Sequence, residues 1–472
     1  MTTPIYNFLY RYKKSGTSRF HMPGHKGRGP LGFEEMDITE VAGADVLYHA
    51  DGIIAESEEN ATRIFGTAHT YYSTEGSTLA IKAMLAIIRR KCDTGATILA
   101  ARNVHKAFVY AAGALDLSVE WIYPSHASHL CECDLSAEDV ERAIDAMASL
   151  PDAVYITTPD YLGGMLDVAG IAAVCNARGI PLLVDNAHGA YLALLEPSMH
   201  PMQLGAAMCA DSAHKTLPVL TGGAYLHIAR GFEEYTEGAR EALAMFASTS
   251  PSYLTLASLD LCNYFCNPDI DDGREPYGVG IANCKEEVTF IKELLADGGQ
   301  AQSCPEPLKI RIDAPCFLNT GWGIAEILRA NHVEPEFVDD EFVVLMASPM
   351  NSPKDFKCLR HAIAEITALA EERRLAGSEG NIPENATQGR TCDDASPAAP
   401  SRPRVAMSIR EALLSPSEII PVKEAEGRIC AALTVSCPPA IPVVISGEVI
   451  DKAAIATFLR YGIDTVSVVK ER

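Results

Sequence analysis

PLLVDNAHG, residues 181–189, is the stretch on which the fold turns. An apolar run leads straight into Asp185, and Gly179-Ile180-Pro181 before it is a stop signal for a helix expected over residues 168–178. Apolar runs of this length without alternation suit strands buried on both faces, as in parallel sheets. Moving outward, residues 153–158 (AVYITT) and 96–101 (ATILAA) read the same way, and a further helix is expected over 78–90. Another apolar strand is expected at 224–228. Strands alternating with helices predict an α/β domain with a mostly parallel sheet.

Beyond this domain the pattern changes. Strands expected near 308–312 and 341–347, with helices near 323–331 and 354–371, predict a small α+β domain. A stretch rich in Gly, Asn, Ser, Thr, Ala and Pro follows, too poor in apolar residues to build a core, and reads as a linker. Apolar runs return at 441–445 and 465–469, which predicts a C-terminal α+β unit. The resulting division is an N-terminal segment (1–50), a large domain (51–300), a small domain (301–373), a linker (374–405) and a C-terminal domain (406–472).

Three of the expected strands end in polar clusters. They are Arg102-Asn103-Val104-His105-Lys106, Pro159-Asp160-Tyr161-Leu162-Gly163-Gly164, and Asp185-Asn186-Ala187-His188-Gly189. Ligands of open α/β sheets bind beyond the carboxyl ends of the strands, so the three clusters point to one crevice. Asp185 is either a turn or cap residue or a buried carboxylate facing a cationic ligand group, since such a charge is costly unless paired. Lys215, in Ser212-Ala213-His214-Lys215-Thr216 ahead of Gly222-Gly223, is in an unusual place for a solubility lysine. Partly desolvated among cations, it can act as an amine nucleophile. Gly76-Ser77-Thr78 opens a helix with small and hydroxyl residues, which suits a phosphate, although an ordinary Ser/Thr cap is the commoner use. No Walker P-loop and no dinucleotide fingerprint occurs.

Composition excludes other classes. Acidic residues (62) outnumber basic ones (39) for a formal charge of -23, which disfavours nucleic acid and anionic membranes as partners. The N-terminus lacks the apolar core of a secretory signal, and no run is long enough to span a bilayer. Fourteen cysteines without a paired framework fit reduced thiols, hence a cytoplasmic location. His126, His129, Cys131 and Cys133 are zinc-type residues, but their close-set spacing matches no common module, and no metal is expected.

Taken together, the chain resembles the Orn/Lys/Arg decarboxylases of the fold-type-I pyridoxal-phosphate enzymes. The resemblance is carried by Phe20-His21-Met22-Pro23-Gly24-His25-Lys26-Gly27, Asp37-Ile38-Thr39-Glu40, the Gly76–Thr78 turn and the clusters at 102–106, 184–189 and 212–216. In the tail it is carried by Pro438-Pro439-Ala440-Ile441-Pro442 and Gly447-Glu448. It implies an aspartate-aminotransferase-like large domain and decarboxylation of lysine, arginine or ornithine to an amine for polyamine biosynthesis. It further implies pyridoxal 5'-phosphate in Schiff-base linkage to Lys215, with Asp185 on the pyridine nitrogen and His105 stacked on the ring. Gly76, Ser77, Thr78, Ser212 and His214 would surround the phosphate, His188 would lie close to the cofactor, and Lys215 or His105 would return a proton to Cα. Glu448 is the candidate for the substrate's distal cation. A homodimer is the expected minimum, with Ser250-Pro251-Ser252-Tyr253 resembling a segment near a neighbour's site. Because the motifs start so early, the chain resembles the short form without an N-terminal wing domain.

The sequence departs from the family pattern at Ala107 (often Ser), Asp160 (commonly a hydroxyl residue) and Cys437/Ala440 (usually Tyr and Gly). Two rival functions remain. One is an aminotransferase on the same fold, with Arg311 or Arg329 gripping the α-carboxylate. The other is an inactive regulatory or binding homologue.

Overall fold

The computed structural model describes residues 1–124, 129–269, 276–300, 304–317, 320–378, 402–434 and 440–471. His126, Cys437, Pro438, Pro439 and most of the expected linker lie outside the described residues.

Seven short strands form the main sheet: β1 (His69–Ser73), β2 (Thr97–Ala101), β3 (Ser118–Ile122), β4 (Ala153–Thr157), β5 (Leu182–Asp185), β6 (Met208–Asp211) and β7 (Ala224–Ile228). Their order is β1-β7-β6-β5-β4-β2-β3. Only β7 runs against the others, pairing antiparallel with both β6 and β1. The aspartate-aminotransferase-like α/β expectation holds. β4, β5, β6 and β7 are almost wholly buried because helices cover both faces, which is why their sequences are apolar without alternation. β3, at one edge of the sheet, alternates exposed and half-buried positions.

The parallel arrangement decides where the chemistry sits. β1, β2, β4, β5 and β6 all finish at the same edge. Their exits therefore bring Gly76, His105, Tyr161, His188 and Lys215 together.

The small domain is a three-stranded antiparallel sheet of β8 (Lys309–Asp313), β10 (Phe342–Met346) and β9 (Phe337–Val338), covered by the helices Gly321–Ala330 and Pro353–Ser378. A long helix, Tyr277–Asp297, packs on β8 and on Pro353–Ser378. Its buried residues Tyr277, Ile281, Cys284, Val288, Ile291 and Leu295 recur at alternating spacings of four and three, one apolar stripe along the helix. The C-terminal unit pairs β11 (Ser417–Pro421) with β12 (Thr465–Val469) over a small core that includes Val422, Phe458 and Val468.

His129 joins all three parts. Its Nε2 lies 2.8 Å from the Tyr461 hydroxyl of the C-terminal unit and 3.2 Å from Asp339 Oδ2 of the small domain. Its Nδ1 accepts from Cys131 N. Both ring nitrogens thus serve hydrogen bonds that tie the chain together. No helix among the described residues is long and apolar enough to cross a membrane.

Candidate active site

The anion end of the cleft is built from backbone. Gly76 takes a left-handed φ of +71° to open the helix Gly76–Arg90, and its N–H donates to Gly222 O at 2.7 Å. A Cβ at Gly222 would sit 2.7 Å from Thr74 O, so only glycine allows that approach. No side chain caps this helix. The first turn of this helix, Gly76, Ser77 and Thr78, lines the cleft at the positive end of the helix, where uncapped N–H groups favour an anion. Ser212 Oγ donates to Ser77 Oγ at 2.7 Å, and His214 is oriented by its Nδ1 donating to Gly223 O at 3.0 Å.

At the centre, Lys215 Nζ lies 3.0 Å from His188 Nε2. Burial and the neighbouring Lys215 hold His188 well below the usual imidazole range, so its ring is neutral. Its other nitrogen, Nδ1, is buried with no partner. Asp185 closes β5; its Oδ1 accepts from Ala187 N at 3.2 Å and its Oδ2 from Tyr155 Oη at 3.3 Å. Burial pushes its carboxyl up to about 6 against the pull of Lys215. His105 caps the helix Lys106–Leu115 by accepting from Ala107 N at 3.1 Å. Burial, then Lys215 and Lys106, lower it to about 4, so it presents a neutral, fixed ring.

These residues and Thr78 line one cleft, together with Asn103, Cys131, Thr157, Tyr161, Glu336, Ala440 and Ile441. Pyridoxal phosphate fits what they offer. There is an uncapped helix start, an amine, a buried carboxyl, and three buried polar atoms without partners, Asn103 Oδ1, Thr157 Oγ1 and His188 Nδ1.

Glu448 is not brought to the cleft. Its Oε2 meets Arg102 Nη2 at 3.2 Å and accepts from Ile445 N at 2.7 Å, and the residue is 2% exposed. Arg102 stands at the carboxyl end of β2 and also donates to Pro442 O and Val443 O, so the pair fastens the C-terminal unit to the main sheet. The carboxylate that does line the cleft beside Asp185 is Glu336, which sequence reasoning missed. Its Oε1 accepts from Tyr161 Oη at 3.0 Å.

The departures from the family pattern have structural settings. Ala440 adopts φ +60°, a backbone that favours glycine, and its carbonyl accepts from Lys106 N at 3.0 Å. Asp160 is buried beside Lys309, whose Nζ donates to the carbonyls of Asp160 and Tyr161 at 2.7 and 3.2 Å. Ala107 is buried and gives the N–H that holds His105. The arginines of the aminotransferase reading are engaged elsewhere. Arg311 meets Glu132 at 2.9 Å and Asp313 at 2.8 Å, and Arg329 pairs with Glu334 on the surface. Neither lines the cleft.

Behind the site lies a group that sequence reasoning did not single out. His200, Cys209 and Asp211 are close enough to hold a metal, and His227 joins them. However, His200 Nδ1 accepts from Met202 N, so its hydrogen is on Nε2, 2.9 Å from Asp211 Oδ2. That is a hydrogen-bonded core, not a ligand set. Burial raises Asp211, but His200 and His227 outweigh it and hold the carboxyl well below its usual range.

Comparison with known proteins agrees with this geometry. Residues 3–274 match the Orn/Lys/Arg decarboxylase major domain, and residues 392–466 match the C-terminal domain of the same family. An arginine decarboxylase of Halalkalibacterium halodurans is 28% identical over 96% of this chain and 92% of its own length. The constitutive lysine decarboxylase of Escherichia coli is 25% identical over 55% of this chain and 40% of its own. The structure of that enzyme superposes with a TM-score of 0.75 at 17% identity, covering 99% of this chain and 82% of the other. Lysine decarboxylase LdcF of Francisella novicida gives 0.77 at 17% identity, covering 99% and 81%. The major-domain match alone takes in more than half of the sequence: this chain belongs to the Orn/Lys/Arg decarboxylases, pyridoxal-phosphate-dependent enzymes that remove the carboxyl group of a basic amino acid.

Proposed function

We propose that this protein decarboxylates arginine or lysine, with arginine first, using pyridoxal phosphate bound to Lys215. The observation that carries the reading is the meeting of Lys215 Nζ and His188 Nε2 at 3.0 Å, in a cleft that also holds Asp185 and an uncapped helix start. Relatives matched along almost their whole length and named arginine decarboxylase support arginine; those named lysine decarboxylase match over about half of this chain.

When bound, the cofactor supplies the electron sink that cleavage of the Cα–carboxylate bond requires. The chain supplies placement and protons. The helix start at Gly76, Ser77 and Thr78, with Ser212 and His214, would hold the phosphate. Asp185, buried at the end of β5, would pair with the protonated pyridine nitrogen, whose charge would offset the cost of burying the carboxylate. His105 would stack on the cofactor ring, where a neutral imidazole suits a cationic ring better than a charged one. Neutral His188 would accept from Lys215 Nζ and hold that amine in place, and Lys215 or His105 would return a proton to Cα after CO2 leaves. The engagement of Arg311 and Arg329 away from the cleft counts against transamination.

We further propose a cytoplasmic homodimer whose amine product enters polyamine biosynthesis. The described cysteines are all free thiols, which fits a reducing compartment. Exposed Phe20, Met22, Leu31 and Phe33 lie close together in sequence and support a second copy as partner. The test is a substrate panel of arginine, lysine and ornithine with CO2 and amine detection. Release from none of them rejects the reading.

A further inference from the structure

A basic substrate brings a distal cation, and the cleft must offer an anion to meet it. Among the described residues lining the cleft there are two carboxylates, Asp185 and Glu336. Asp185 is buried at the end of β5 and bound to Ala187 N and Tyr155 Oη. Glu336 enters from the other side, on the small-domain segment just ahead of β9, and is exposed at the cleft mouth.

An exposed glutamate is usually no more than a solvated charge. Glu336 differs because the cleft wall runs to it without a break. His188 touches Lys215; the Tyr161 ring packs edge-on against His188 with centroids 5.1 Å apart; and the Tyr161 hydroxyl donates to Glu336 Oε1 at 3.0 Å. Glu336 Oε2 accepts no hydrogen bond among the described residues, and the nearby Lys309 ammonium is turned to the carbonyls of Asp160 and Tyr161. One oxygen is thus fixed by Tyr161 while the other is open to the cleft. An amino acid held at Lys215 would lay its aliphatic chain along the Tyr161 ring and bring its cation to that oxygen.

We propose that Glu336 is the specificity residue that recognises the distal cation of the substrate, with Tyr161 as its positioning residue. The proposal rests on the decarboxylase reading given above.

The test compares Glu336→Gln with the wild type on charged and neutral-tailed pairs, lysine against norleucine and arginine against citrulline. The expected result is a fall of roughly 10- to 100-fold in kcat/KM for the charged substrate, the worth of a charged hydrogen bond, with little change for its neutral analogue. Calorimetry with cadaverine and n-pentylamine should show the same selective loss in affinity. Tyr161→Phe should raise KM for the charged substrate with a smaller effect on kcat. An unchanged preference for the charged member, or equal losses on both members, overturns the assignment. If the wild type releases CO2 from no basic amino acid, the reaction is wrong, and the amine affinities still decide Glu336.

Discussion

Lys215 Nζ and His188 Nε2 lie 3.0 Å apart, and the far nitrogen of that same imidazole is buried without a partner. A neutral His188 accepting at Nε2 carries its hydrogen at Nδ1, where an acceptor on cofactor or substrate completes the bonding. Lys215 thereby gains a proton partner that a surface lysine lacks. His188→Gln should reduce kcat by about 100-fold, the usual worth of a positioned acid-base group, while the visible band of the bound cofactor persists. Steady-state kinetics with an absorption spectrum checks both. Full activity in the variant would remove His188 from the proton path.

Asp185 predicts a pH effect on the apo-protein. Its folded value is pushed up to about 6 from 3.8, so between these values the native state holds a proton that the unfolded chain has lost. Stability contributed by this residue therefore falls as pH rises through that window, by on the order of 3 kcal/mol. Urea denaturation of the apo-protein at pH 4.5 and 7 should show the loss in the wild type and a smaller one in Asp185→Asn. Equal slopes would contradict the burial argument.

The Arg102–Glu448 pair predicts a structural phenotype. Arg102→Ala leaves a carboxylate that is 2% exposed without its cation, a change that typically costs about 3–5 kcal/mol. Burial already raises Glu448 against the pull of Arg102, so in the variant it takes up a proton more readily. The deficit should shrink as pH falls, because the folded state then binds the extra proton. Denaturation at two pH values measures it. Glu448→Gln should leave the ranking of substrates unchanged.

Ala440 predicts the opposite sign. A left-handed non-glycine residue costs about 1–2 kcal/mol, and glycine gives back part of the gain through its looser unfolded state. Ala440→Gly should raise stability by up to about 1 kcal/mol, read as a higher Tm.

Much of this was written locally in the sequence. β2, β4 and β5 are apolar runs, and each strand-end cluster follows its strand directly, so the sequence alone points to one crevice. β1 (HTYYS) and β3 (SVEWI), the two edge strands, carry polar residues and resist that reading; β1 is a strand because its backbone pairs antiparallel with β7, more than 150 residues further along the chain. The substrate carboxylate was out of reach for another reason. Glu448 stands in a family motif, but its partner Arg102 is far away in sequence. Glu336 has no motif, and its link to the site is a tyrosine hydroxyl from a distant loop. Such long-range pairings leave no mark in local spacing.

The central claim is that Lys215 carries the cofactor of a basic amino-acid decarboxylase. The direct measurement is CO2 and amine release from arginine, lysine and ornithine by cofactor-loaded wild type and Lys215→Ala, with absorption spectra of both. The account predicts release from a basic amino acid and a visible cofactor band in the wild type, and loss of both in the variant. A wild type without the band, or a Lys215→Ala variant that still releases CO2 at the parent rate, would contradict it.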